Sequence, residues 1–168
     1  HQYQVLGISS AGFGSPTVLD RTAFARVKDL NVKRLSSLDK ESNRLVTKKW
    51  LEWLSEYKSE RPFFSYLHYD PPMNAIDSID FNLIPKQFLT EETDQHLKEV
   101  GRYTQSILFV DSEIDTILES LNHRGLLKDT VIIITSDHGY ELNDYDTGYY
   151  GHASNYSRAQ LKTPFFML

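Results

Sequence analysis

Ser136-Asp137-His138-Gly139 sets a carboxylate, an imidazole and a hinge side by side. If a stiff strand delivers them, an oxygen and a nitrogen can grip a divalent cation with little entropy lost, and glycine lets the backbone turn sharply past the site. The same residues are also ordinary turn formers after a strand. A second histidine lies in Tyr150-Gly151-His152-Ala153-Ser154-Asn155, on a loop that leaves the same strand end. That placement lets both imidazoles approach one pocket, and it equally suits a solvated loop histidine. A hydrolytic triad of Ser136, Asp137 and His138 is disfavoured, because neighbours on one strand end do not readily form the relay geometry.

The elements that must position these groups follow from periodicity. Gln4 to Ser9 is a β-prone run closed by the Gly- and Pro-rich Ser10 to Pro16. Val46, Trp50, Trp53, Leu54 and Tyr57 form the stripe of a helix spanning about 42–57, which Arg61-Pro62 stops. Phe63 to Tyr69 reads as a strand ended by Asp70-Pro71-Pro72. Met73 to about Thr90 has no clean period and is expected to be irregular. A long helix follows an acidic start at Glu91-Glu92-Thr93-Asp94, with Val100, Tyr103, Ile107, Val110, Ile114, Ile117 and Leu121 three and four apart and Gly125 at its C′ position. Asp111 falls within that apolar register, where a carboxylate would need partners.

Thr130-Val131-Ile132-Ile133-Ile134-Thr135 is nearly continuous in β-branched residues, as in strands buried on both faces, and is expected at the sheet's centre. Thr163 to Leu168 reads as one more strand. The alternation of strands and helices predicts an α/β fold with a mostly parallel sheet flanked by helices. In such sheets ligands bind beyond the carboxyl ends of the strands, which selects Ser9-Ser10, Asp70 and Ser136 to Gly139.

Composition narrows the partners. The 168 residues are one domain's worth, 40% hydrophobic, with 9 Phe, 10 Tyr and 2 Trp, so they can hold a core. Eighteen basic against 23 acidic side chains give a formal charge of -5 without a basic stripe, which argues against nucleic acid. There is no cysteine, hence no disulfide, thiolate metal site or cysteine nucleophile within these residues. His1 and the apolar end Pro164 to Leu168 suggest a piece of a longer protein.

Taken together, Tyr103 to Leu168, with Asp111, Gly125-Leu126-Leu127, Thr130 to Gly139, Gly151-His152 and Pro164, resembles the C-terminal half of the sulfatase core of the alkaline-phosphatase superfamily. Gly151 to Arg158 and Ser9-Ser10-Ala11-Gly12-Phe13 are most similar to the sulfatase-like periplasmic domain of Gram-negative inner-membrane proteins of lipopolysaccharide and cardiolipin homeostasis. The resemblance implies a partial sulfatase-like domain over 1–168, with nucleophile and further acidic ligands elsewhere in the protein, so that these residues alone are inactive. It implies that Asp137 and His138 ligate a divalent cation (calcium, magnesium, manganese or zinc). His152 would contact the oxygens of an anionic sulfate or phosphate ester, possible lipid head groups among them, and Arg158 and Lys162 either add positive charge or are plain surface residues. It implies attachment to a bacterial inner membrane through N-terminal helices, with this domain in the periplasm.

One departure stands against the catalytic reading. Sulfatases place a His after the second strand, where this chain reads Asp70-Pro71-Pro72-Met73-Asn74. His68 is near but is read as a packing residue, and Trp50 and Trp53 as core anchors. The alternative is a regulatory or lipid-binding domain that keeps the fold without turnover.

Overall fold

The computed structural model describes residues 3–10, 40–58, 60–70 and 94–168. The chain divides into two compact units, one of His1–Asp77 with Ser106–Ser120, the other of Ser78–Gln105 with Leu121–Leu168.

The first unit is built on β1 (Gln4–Ser9), α1 (Lys40–Glu56) and β2 (Phe63–His68). β1 and β2 pair in parallel, Gln4 opposite Phe63 through Ser9 opposite His68. Leu6 to Ser9 are all buried, so β1 is covered on both faces. α1 turns Asn43, Val46, Thr47, Trp50 and Leu54 inward at helical spacing, the stripe expected from the sequence with polar residues added at two positions. Trp50 is 2% exposed and its Nε1 donates to Ser65 Oγ at 3.3 Å. Trp53, Tyr57 and Phe63 form an aromatic cluster with ring centroids 5.3–5.5 Å apart, which locks the end of α1 to the start of β2. Burial pushes the Tyr69 phenol up to about 12, with Glu113 adding to the effect against a 2.8 Å bond to Thr47, so the hydroxyl stays neutral.

The carboxyl ends of β1 and β2 are sewn together. Ser9 Oγ lies 2.8 Å from His68 Nδ1, and the Asp70 N–H donates to both Ser10 Oγ and Asn43 Oδ1 at 2.8 and 2.9 Å. Asn43 Nδ2 returns a bond to the Asp70 carbonyl at 2.8 Å. Asp70 is thus held in place by its backbone, and His68 is a packed partner of Ser9.

α2 (Asp94–His123) runs through both units. It ends as expected: Gly125 takes φ +67, its N–H reaches the Asn122 carbonyl, and Leu126 N–H reaches Leu121, each at 2.9 Å, the paired bonds of a Schellman cap. Asp111 is exposed, which corrects its placement among buried positions; the buried side chains of α2 include Val100, Ser106, Ile117 and Leu121 instead, so the carboxylate is not desolvated.

The second unit contains β3 (Ile133–Thr135), β4 (Glu141–Leu142), β5 (Tyr150–Gly151), the short α3 (Arg158–Leu161) and β6 (Phe165–Met167). β3 pairs with β6 antiparallel, Ile133 opposite Met167, so the expected parallel neighbour of the Thr130 to Thr135 run is corrected. Its expected burial is corrected too: Val131 is 73% and Ile133 57% exposed. β-branched side chains dictate extended backbone, but burial needs a covering layer, and β6, the described partner of β3, is itself exposed. Met73 to Thr90 and most of Ser10 to Pro16 lie outside the described residues.

Trp50 carries a testable consequence. Trp50→Ala should cost about 3–5 kcal/mol in urea unfolding of the intact protein, while Trp50→Phe should cost much less; a loss under about 1 kcal/mol for alanine would mean that Trp50 does not anchor α1.

Candidate functional site

β3 ends at Thr135, whose hydroxyl donates to the Pro164 carbonyl at 2.8 Å and so pins the strand end to the start of β6. The next residues turn under their own bonds. Asp137 Oδ1 accepts the His138 N–H at 3.0 Å, and Ser136 Oγ donates to the His138 carbonyl at 3.1 Å. His138 Nδ1 lies 2.8 Å from the Gly139 carbonyl. A carbonyl oxygen can only accept, so Nδ1 carries the proton, and in the neutral ring Nε2 is left with its lone pair. This arrangement, one ring nitrogen donating to a backbone carbonyl, is the one that orients metal-binding histidines.

Nε2 of His138 lies 3.7 Å from Asp137 Oδ1. Two donors each about 2.0–2.2 Å from one cation can be separated by up to about 4.2 Å, so this pair has a bite that a divalent ion fits. The side chains are accessible as well, 45% exposed for His138 and 83% for Asp137. Among the described residues no group of three or more His, Cys, Asp or Glu side chains comes together as a ligand cluster.

The chain then reverses through the β4–β5 hairpin, in which Glu141 pairs with Gly151 and Leu142 with Tyr150. Its connection uses residues that tolerate left-handed backbone, Asn143 at φ +60, Asp146 at +53 and Gly148 at +72. Asn143 Oδ1 accepts from Gly148 N–H and Asp144 Oδ2 from Leu142 N–H, both at 2.7 Å. The reversal lays His152 on His138 with ring centroids 4.2 Å apart and planes 20° from parallel. The two imidazoles singled out in the sequence therefore do meet. Tyr149 holds the second one in place by donating its hydroxyl to the His152 carbonyl at 2.9 Å.

Tyrosines support the hairpin from α2. Tyr103 stacks on Tyr140 at 5.6 Å, and Tyr150 Oη bonds His96 Nδ1 at 3.2 Å. Burial first, then the charges of Glu99 and Tyr149, push the Tyr140 phenol up, while Arg102 pulls the other way. Burial and then Asp144 do the same to Tyr103. Both hydroxyls remain neutral, and the Tyr140 ring lies 6.1 Å from that of His152.

α3 closes the site from the other side. Gly139 N–H donates to the Gln160 carbonyl at 2.7 Å, so the helix backbone abuts the turn. A Cβ on residue 139 would overlap the Ala159 carbonyl oxygen and sit 2.9 Å from that of Lys162, so only glycine fits. Arg158 opens α3 and is exposed, as is Lys162 just past its end.

Glu141 was not anticipated by the sequence reading. It is 1% exposed, and its Oε2 accepts from Ser157 Oγ at 2.7 Å, Gln160 Nε2 at 2.8 Å and Asn155 Nδ2 at 3.4 Å. The bonds from Ser157 and Gln160 hold its carboxyl below the usual carboxylate range despite burial. A signal was present: Ser157-Arg158-Ala159-Gln160 has capping-box spacing, and Ser157 does accept from the Gln160 N–H, at 3.4 Å. The Gln160 side chain departs from that motif by turning inward to Glu141.

With this geometry in view, comparison with known proteins identifies the chain. The sulfatase family pattern matches residues 3–168, so the chain belongs to the sulfatase family. It is 34% identical to an endo-4-O-sulfatase of Bacteroides thetaiotaomicron, in a match covering 48% of this chain and 19% of that protein. It is 25% identical to the lipoteichoic acid synthase of Staphylococcus saprophyticus, over 89% of this chain and 20% of that protein. The chain thus spans about a fifth of the length of the curated relatives it matches. Its fold is that of a crystallised lipoteichoic acid synthase of Listeria monocytogenes, with TM-score 0.61 and 14% identity over 99% of this chain and 43% of that one. The α/β, alkaline-phosphatase-like class read from the sequence is therefore the observed one.

Glu141 predicts a pH dependence with a definite sign. Its pKa is depressed in the fold, so the stability it adds is complete above the ordinary value of 4.5 and is lost as pH falls through the lower folded value. In urea unfolding of the intact protein, the advantage of the native chain over Glu141→Gln should shrink from pH 7 toward pH 3; an advantage that stays flat would contradict the assignment.

Proposed function

We propose that these residues form the cation and ester-oxygen half of a sulfatase-family hydrolase or transferase acting on sulfate or phosphate esters, lipid head groups included. The observation that carries this reading is the Nδ1–H bond of His138 to the Gly139 carbonyl, which leaves Nε2 free 3.7 Å from Asp137 Oδ1. The similarity to an endo-4-O-sulfatase and to a lipoteichoic acid synthase supports a hydrolase or transferase reading.

In this reading Asp137 and His138 hold a divalent cation, with calcium, magnesium, manganese and zinc all compatible with an oxygen and a nitrogen donor. When bound, the cation supplies positive charge to equatorial oxygens of the ester and to the attacking oxygen. His152 orients the ester by donating to its oxygens, and Arg158 adds a second donor from α3. We assign the nucleophile to residues outside His1–Leu168, so that this portion alone binds without turnover. We also assign the parent protein to a bacterial inner membrane with this domain in the periplasm, on the sequence similarity of Gly151 to Arg158. Among the described residues no helix is long and apolar enough to cross a membrane, so that anchor would come from other segments.

One observation favours a second reading, a regulatory or lipid-binding domain without turnover. No histidine stands in Asp70-Pro71-Pro72-Met73-Asn74, the stretch after the second strand where the sulfatase resemblance implies one.

Calorimetric titration of the intact protein with manganese, calcium, magnesium and zinc tests the site. Asp137→Ala and His138→Ala should each weaken binding about tenfold or more, and equal affinity in all three proteins would remove the assignment. Cation-dependent release of sulfate or phosphate from an aryl ester selects the enzyme; binding of an anionic lipid vesicle with no release selects the regulatory domain.

A further inference from the structure

We infer that Glu141 and Gln160 are positioning residues that hold the imidazoles of His138 and His152 in register, an inference that rests on assigning those histidines to the cation and the ester. The bonds of this buried pair end on the residues flanking both rings. The Gln160 carbonyl accepts from Gly139, the residue after His138, at 2.7 Å. Its side chain clasps Ser154, two residues past His152, from both ends: Nε2 donates to Ser154 Oγ at 3.0 Å and Oε1 accepts from Ser154 N–H at 3.3 Å. Glu141 pairs across the hairpin with Gly151, the residue before His152, and fixes the Gln160 amide with its 2.8 Å bond.

The clasp has something to restrain. Ala153, between His152 and Ser154, sits at φ +61, a conformation that non-glycine residues populate sparsely and keep only when their surroundings impose it. α3 has four residues, too few to be stable by itself, and depends on the same network. Gln160 is 3% exposed, so its amide has no water to exchange bonds with. Freed from Glu141, the Gln160 amide can rotate, Ser154 loses its two anchors, Ala153 relaxes, and His152 moves off His138. The three donors converge on one oxygen of Glu141, so a glutamine whose amide oxygen takes that place preserves the arrangement.

The test uses the intact protein with isotopically labelled histidine. In the native chain the stacked rings should give His152 upfield ring-current shifts and cross-peaks to His138. Glu141→Gln should keep both, whereas Glu141→Leu and Gln160→Leu should lose them while retaining the native circular dichroism spectrum. With 4-nitrocatechol sulfate as the probe, the leucine variants should lose about tenfold to a hundredfold in kcat, and glutamine should restore it. Manganese affinity should change less than about threefold, because the bond that holds Gly139, and through it His138, is made by the Gln160 backbone carbonyl, which the side-chain changes leave in place. Folded leucine variants that keep the stacked-ring shifts would overturn the inference. If the leucine variants do not fold, Ser154→Ala, at an exposed position, must reduce the shifts, and unchanged shifts there would overturn it as well. A native protein that shows the stack but releases neither sulfate nor phosphate from aryl esters contradicts the proposed enzyme, while the shifts still decide the role of Glu141 and Gln160.

Discussion

The Gly139 carbonyl has lone pairs and no proton to give, and the chemistry of the site follows from that fact. Because it lies against Nδ1 of His138, it selects the tautomer whose Nε2 is free, and it fixes the plane in which that nitrogen points. Residue 139 can offer its carbonyl there only while its own N–H is bound to Gln160 and its missing side chain leaves room for α3. A glycine, a helix of one turn and a backbone bond together decide which nitrogen of the neighbouring imidazole keeps its lone pair.

The two units hold themselves together by different means. The first relies on apolar burial, with Val46, Trp50 and Leu54 of α1 against a strand covered on both faces. Around the histidines the elements are two to four residues long, and neither the hairpin nor α3 buries much apolar surface. Order there comes from polar bonds that are short, numerous and in part buried, centred on a carboxylate whose desolvation is offset by its donors. Such a network fixes directions more tightly than an oily contact does, which suits a place where two rings must stay parallel at 4.2 Å.

Much of this was legible beforehand. β1 was read to its final residue, α1 and α2 to within a few positions, and the Gly125 cap by its mechanism, because each depends on local propensity and periodicity. The meeting of His138 and His152 was legible because both lie in the stretch that follows β3, although it is the β4–β5 hairpin that brings the second ring back to the first. Three things were not. β3 was expected to be central and parallel, since a β-branched run encodes extension but not its neighbour. Asp111 was expected to be buried, since a seven-position apolar register does not say how wide the covered stripe is. Glu141 went unnoticed because a buried carboxylate is recognised by its donors, and those sit 14 to 19 residues downstream.

Anomalous diffraction from crystals of the intact protein grown with manganese tests the central claim most directly. The account predicts a manganese peak about 2.0–2.2 Å from both His138 Nε2 and an Asp137 carboxylate oxygen, with Nδ1 still bound to the Gly139 carbonyl. Manganese bound elsewhere with His138 Nε2 turned onto a protein acceptor would contradict it.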